Sequence, residues 1–114
     1  MIEQQLIQAI KGVLPDMVVY HDFAPEEAVA PFVILYRVGG SGSLYLDNGA
    51  KGYQIREQIT VWAGSRLVAI DLSRKIEGAL NRLDYISAIE AARALFDADV
   101  RLYGMTQDFY VIEQ

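Results

Sequence analysis

Gly52-Tyr-Gln-Ile-Arg-Glu-Gln-Ile-Thr-Val-Trp-Ala63 is the stretch that decides the fold. Tyr53, Ile55, Ile59, Val61 and Ala63 alternate with Gln54, Arg56, Gln58 and Thr60, which is the period of a half-buried strand. Two residues break the pattern: Glu57 falls on the apolar face and Trp62 on the polar one. The period then changes. Gly64-Ser65 offers a helix N-cap, and Ala69, Leu72, Ile76, Ala79, Leu80 and Leu83 recur every three or four residues, forming one stripe of a helix of about five turns. Arg66, Asp71, Arg74, Lys75, Glu77, Asn81 and Arg82 occupy the other face. A strand with one wet face followed by a helix with one dry stripe packs most simply as helix on sheet, so the remainder of the chain has to complete that sheet.

Working outward towards the N-terminus, Phe32-Val-Ile-Leu-Tyr-Arg-Val38 is apolar at nearly every position, as expected of a strand inside a sheet. Pro31 suits its first residue, where no ladder donor is needed. Residues 21–31 form a loop flanked by prolines, and Met17 to Tyr20 reads as a short edge strand. Ile2, Leu6, Ile10 and Val13 share a helical face, and Pro15 ends that helix by disfavouring helical backbone in the residue before it. Between the two strands, residues 39–52 hold five of the nine glycines, with Leu44, Tyr45 and Leu46 in their midst. This stretch is expected to be a flexible hairpin arm, Asp47-Asn48-Gly49 supplying the turn.

Towards the C-terminus, residues 84–96 are ambiguous. Their alanines, with Glu90 and Arg93, favour helix by propensity, whereas Ile89, Ala91 and Leu95 also alternate as in a strand. Asp97-Ala-Asp99 reads as a turn, and Val100 to Ile112 as a strand with Tyr103, Met105, Phe109 and Val111 on one side. The preferred reading is a final antiparallel pair, 86–95 with 100–112. The fold class is therefore α+β: a mostly antiparallel sheet of four to five strands with two helices packed on it.

Bulk properties bound the function. At 114 residues, 53% hydrophobic and 22% charged, the chain has the size and composition of one globular unit. A net charge of −5, with ten basic residues scattered among fifteen acidic ones, argues against a grip on nucleic acid through phosphate neutralisation. There are no cysteines and hence no disulfides or thiolate metal sites. The N-terminus lacks the pattern of a signal peptide, and no apolar run approaches the roughly 20 residues that span a bilayer. The chain is expected to be soluble and unprocessed.

The order and spacing of Pro31-Phe-Val-Ile-Leu-Tyr36, Gln58-Ile-Thr-Val-Trp-Ala63 followed directly by a helix, and Leu95-Phe-Asp97 leading through Tyr103 to Asp108-Phe-Tyr-Val111 resembles the tail-completion, or tail-terminator, family of long-tailed phages and prophages. That family includes relatives of the lambda tail terminator. The resemblance covers nearly the whole chain. It implies a single tail-terminator-like domain over residues 1–114 that assembles six copies to a ring on the end of the tail tube. Such a ring ends tube polymerisation and presents a surface to the head. The implied partners are other copies of the chain, the major tail tube protein and the head–tail connector proteins. The implied location is the virion tail, after assembly in the host bacterial cytoplasm. DNA would pass through without specific binding, and no membrane, metal, cofactor or catalysis is implied. The resemblance also favours strand over helix for residues 86–95, although their alanine content departs from the family pattern.

No residue constellation competes with a structural role. His21 is the only histidine; Ser41 and Ser43 lie among glycines without a phosphate-loop or nucleophile-elbow pattern; Glu26-Glu27 and Asp97/Asp99 read as solvated acids. Glu57 needs a partner, either Arg37 on the neighbouring strand or a group on another subunit. Trp62 anchors an interface unless a helix covers its face. The interaction residues expected are thus Leu44, Tyr45, Leu46, Glu57 and Trp62. A ferredoxin-like ligand-binding or regulatory module is the alternative reading, and a small enzyme ranks last.

Overall fold

The computed structural model describes residues 2–45 and 51–113, and orders them as two helices and six strands. Helix α1 (Ile2–Val13) buries Ile2, Leu6 and Ile10. It is followed by β1 (Val18–His21), β2 (Phe32–Tyr45) and β3 (Lys51–Ala63), then by α2 (Arg66–Leu80). The chain closes with β4 (Ile86–Ile89), β5 (Arg93–Asp97) and β6 (Leu102–Glu113). The sheet order is β1-β2-β3-β6-β4, with β5 beside β4 on the same edge of β6.

The strand read from 52–63 is β3, which sits at the centre of the sheet between β2 and β6. Its odd positions face the helices: Ile55, Ile59 and Val61 share one buried core with Leu72, Ile76 and Leu80 of α2, and Ala63 is buried as well. Val33 and Leu35 of β2 and Phe109 and Val111 of β6 extend that layer, because the registers place them on the same side of the pleat. Ser65 caps α2 by accepting the Val68 N–H at 3.2 Å. The helix stops at Leu80 rather than Leu83, with the Asn81 N–H satisfied by Glu77 and Ala79 carbonyls; Leu83 still packs on the core from the turn beyond.

Two features differ from the sequence-based expectation. The sheet has six strands and is mixed, because β1 runs parallel to β2. The chain does not reverse tightly after His21. Asp22 takes left-handed backbone (φ 69°) and gives its N–H to the Leu35 carbonyl, and residues 22–31 carry the chain back before β2 begins. The expected strand over 86–95 is two short strands. Ile89 pairs with Phe109 and Arg93 with Thr106, so four steps on one side oppose three on β6, the signature of an inserted residue. At the break, the Glu90 N–H bonds the Asp108 carbonyl, and the Glu90 carbonyl accepts from the Gln107 side chain at 2.8 Å. The same Gln107 Nε2 donates to Glu77 of α2 at 2.5 Å.

The ladder of β2 and β3 runs on past the helix-covered core: Ser43 pairs with Tyr53, Leu44 with Gly52 and Tyr45 with Lys51. Register shifts between Arg37 and Gly39 and between Gly40 and Ser43 each add a residue to β2 and sharpen its twist. The root of the expected arm is thus two paired strands. Leu46 and the Asp47-Asn48-Gly49 turn lie outside the described residues. The described chain measures 48 × 23 × 23 Å. Its two ends are the β2–β3 extension and, at the far end of β3, the start of α2 with the β5–β6 turn. Arg66 ties that second end together, donating to the Gly104 carbonyl at 2.6 Å and the Leu95 carbonyl at 2.7 Å, with its guanidinium 5.1 Å from the Tyr103 ring centre.

Candidate assembly surface

Both helices pack on one face of the sheet, so the even positions of β3 point to a face without a helix. Across it run Gln54, Arg56, Gln58 and Thr60 of β3, opposite Ile112, Tyr110, Asp108 and Thr106 of β6. This row is mutually satisfied. Thr60 and Thr106 hydroxyls meet at 2.9 Å. Asp108, with a fully buried side chain, accepts from Arg56 Nε at 2.6 Å and from Gln58 Nε2 at 3.2 Å, and a second Arg56 nitrogen closes on the same carboxylate. Tyr110 donates its hydroxyl to Glu90 at 2.8 Å, which holds the phenol above its ordinary pKa. Arg56 lies 5.8 Å from the Tyr110 ring centre. Where β2 begins its bulges, Val38, Gly39, Gly40, Gln54, Arg56 and Tyr110 line a groove of about 310 Å³ at the root of the β2–β3 extension.

Trp62 lies on this helix-free face and is partly exposed. Its ring spreads over Gly104, the residue opposite it on β6: a Cβ there would meet Trp62 Cε3 and Cζ3 at 2.9 Å. Glycine at 104 therefore makes the seat for the indole. Apolar groups continue along the β1–β2 side of the same face, where Val18, Tyr36 and Val38 are exposed.

Glu57 faces the other way. It is fully buried under the first turn of α1, directly opposite Arg37 in the β2–β3 ladder. Arg37 Nε stands 3.5 Å from Glu57 Oε1, but its shorter bonds go to Glu3 of α1, at 2.6 and 2.5 Å. One guanidinium thus serves two carboxyls, and Glu3 Oε1 and both Glu57 oxygens find no other partner. Burial and then the adjacent Glu3 push the Glu57 carboxyl up to about 8. Burial works against charge on Glu3 too, yet the hydrogen bonds from Glu57 and Arg37 hold it below the usual carboxylate range. At neutral pH the pair shares one proton, which Glu57 carries and offers to Glu3. The sequence pointed to Arg37 for Glu57; Glu3 carried no signal, because it sits on α1 among ordinary helix-surface residues.

Of the expected interaction residues, Leu44 and Tyr45 belong to the outer part of β2, Trp62 to the helix-free face and Glu57 to the core under α1. Leu46 is outside the described residues. The Arg56–Asp108 pair escaped sequence reasoning: Arg56 read as one wet position of an alternating strand, and only the β3–β6 register brings Asp108 beside it. Among the described residues, no group of three or more His, Asp or Glu is arranged to hold a metal ion, and no helix is long and apolar enough to cross a membrane.

Residues 4–114 match the family model described as "Tail completion protein gp17". The chain belongs to the gp17 tail completion family. The gp17 fold seen here is shared by a solved structure of bacteriophage SPP1 gp17, with a TM-score of 0.57, 18% identity and coverage of 98% of this chain and 88% of that one. It is also shared by a chain of the virion of a native gene transfer agent particle, with a TM-score of 0.56, 13% identity and coverage of 97% and 91%. No curated protein matches by sequence. Membership of a tail completion family gives the chain a structural role in a phage tail.

Proposed function

We propose that the chain is a tail terminator that works as one domain over residues 1–114. Copies of it, six to a ring, cap the end of the tail tube, stop its polymerisation and offer the joining surface for the head. The mechanism is geometric and transforms no molecule. The observation that carries it, beyond family membership, is the β2–β3 ladder running out past the helix-covered core. Such a projection from a rigid sheet is suited to reach a neighbour. In this reading residues 39–52 are the arm, and Leu44, Tyr45 and Leu46 touch the tube or an adjacent copy. Trp62 contributes from the helix-free face, and Glu57 acts indirectly by seating α1. The partners are other copies of the chain, the major tail tube protein and the head–tail connectors. Assembly takes place in the host bacterial cytoplasm and the product is in the virion tail. The net charge of −5 suits a passage that DNA traverses without being held.

Deleting residues 44–50 tests this. The expected product keeps a cooperative thermal transition but no longer assembles on tail tubes, as judged by electron microscopy. A deletion protein that assembles normally overturns the role of the arm; one that loses its transition places the arm in the core.

A further inference from the structure

We propose that the first turn of α1 is a latch at the root of the β2–β3 extension: it holds while one proton bridges Glu3 and Glu57, and lifts off the sheet when that proton leaves. A switch needs a change of charge and an element with two arrangements for that charge to bias. Arg37 supplies the two arrangements. Closed, its guanidinium bonds Glu3 at 2.6 and 2.5 Å and stands 3.5 Å from Glu57. Arg37 and Glu57 are cross-strand partners in register, so once Glu3 withdraws the same guanidinium closes on Glu57 by side-chain motion alone. The proton goes to solvent, Arg37 meets the charge created on Glu57, and Glu3 carries its own charge into water.

The closed state needs the proton. Both Glu57 oxygens and Glu3 Oε1 are buried without a hydrogen-bond donor, and one guanidinium cannot satisfy two carboxylates at that depth. Glu3 lies in the first turn of α1, where free N–H groups and the helix dipole favour its charged form, which leaves the proton to Glu57. The other groups around Glu57 bring no second cation. Lys11 of α1 is exposed, as are Asp71, Arg74, Lys75 and Glu77 of α2. On β6, Phe109 stands opposite, and Glu113 further along adds negative charge near Arg37. On β3 itself, Arg56 points to the other face and is held by Asp108. Burial and the adjacent Glu3 push the Glu57 carboxyl up to about 8, so the proton leaves as neutral conditions turn mildly alkaline.

Opening is local because the first turn is lightly held. Helix α1 pairs with no strand, and its backbone lies closest to α2. Gln4 and Gln5 are exposed, so Ile2 and Glu3 are what the first turn buries, whereas Leu6 and Ile10 lie deep in the core. The hinge therefore falls between Glu3 and Leu6. Arg37 meets Glu57 just before the first register shift of β2. Closed, the latch ties α1 to both strands where the extension leaves the helix-covered core; open, the strands alone make that connection.

Carbon-detected NMR of the full chain from pH 6 to pH 9 tests the latch. The Cα and carbonyl shifts of residues 2–5 report helix in the first turn, and the carboxyl carbon of Glu57 reports its proton. The helical population of residues 2–5 is expected to fall by at least about threefold, with the midpoint of the Glu57 titration, while Ile10 and the β3 residues keep their folded shifts. Glu57→Gln keeps the donor and every other titrating group, and is expected to hold the first turn helical to pH 9. Helical shifts that persist to pH 9 in the unaltered chain overturn the latch, as does a loss whose midpoint departs from that of Glu57. So does a loss that Glu57→Gln shares, or one in which Ile10 and β3 unfold together with the first turn. Should the variant not fold, the two midpoints in the unaltered chain decide.

Discussion

Each face of the sheet buries a carboxyl beside an arginine, and the two solutions are opposite. On the helix-free face, Asp108 takes the short bonds of Arg56, whose contact with Glu90 is a longer 3.8 Å, and adds Gln58, so every donor aimed at it is matched. Beneath α1, Glu57 shares Arg37 with Glu3 and is left with buried oxygens that only a proton can satisfy. The difference follows from what covers each face. Flexible side chains on an open sheet can rearrange around a charge, whereas a helix laid over a strand fixes its groups in place. Burying a charge is tolerated when it is paired and hydrogen-bonded, and otherwise the group neutralises.

The contrast breaks most visibly at the core. Phe109 on the covered face and Ile112 on the open one are three residues apart on the same strand, and Phe109 stands directly opposite Glu57. Phe109→Ala is expected to cost about 3–5 kcal/mol in urea unfolding, and Ile112→Ala, at a partly exposed site, well under half of that. Equal losses would mean that the helix-free face carries as much of the fold as the covered one.

Next comes pH. The folded chain keeps the Glu57 proton up to about 8, while the unfolded chain releases it near 4.5. The stabilisation this provides is complete below 4.5 and is lost as pH rises through 8, with a slope no steeper than about 1.4 kcal/mol per pH unit. Glu3 is lowered, so its contribution has the opposite sense, present above 4.5 and lost in acid. Between pH 5 and 8 stability should therefore fall. Glu57→Gln, which keeps the donor and removes the titration, should flatten that decline in melts across the range. A decline that survives the substitution assigns it to other groups.

The smallest effect sharpens the open face. Gly104→Ala should cost about 1–3 kcal/mol through crowding of the indole, and close to nothing when Trp62 is already alanine, in a double-mutant cycle of thermal unfolding. Additive costs would show that the glycine serves the backbone and not the ring.

Much of this was legible beforehand. The alternation from Tyr53 to Ala63 set the strand and its faces, and parity alone put Trp62 on the wet side and Glu57 on the dry one. Less could be read where no period exists. The parallel β1 depends on residues 22–31, whose return path has no sequence signature, and the break between Ile89 and Arg93 lies in an alanine-rich run that favours neither period. The site was legible in its parts and not in its pairings. Arg37 meeting Glu57 needed only the β2–β3 register, but Glu3 joining them depends on where a helix comes to rest, and that is settled by packing across the whole core.

The β2–β3 ladder has one further consequence. A pull from outside moves both of its strands the same way, so the load falls in shear on the bonds holding β2 to β1 and β3 to β6, which lie across the strand direction. The same two strands floor the seat of α1, where Arg37 and Glu57 sit. Tension arriving from outside would reach the rest of the sheet at that seat.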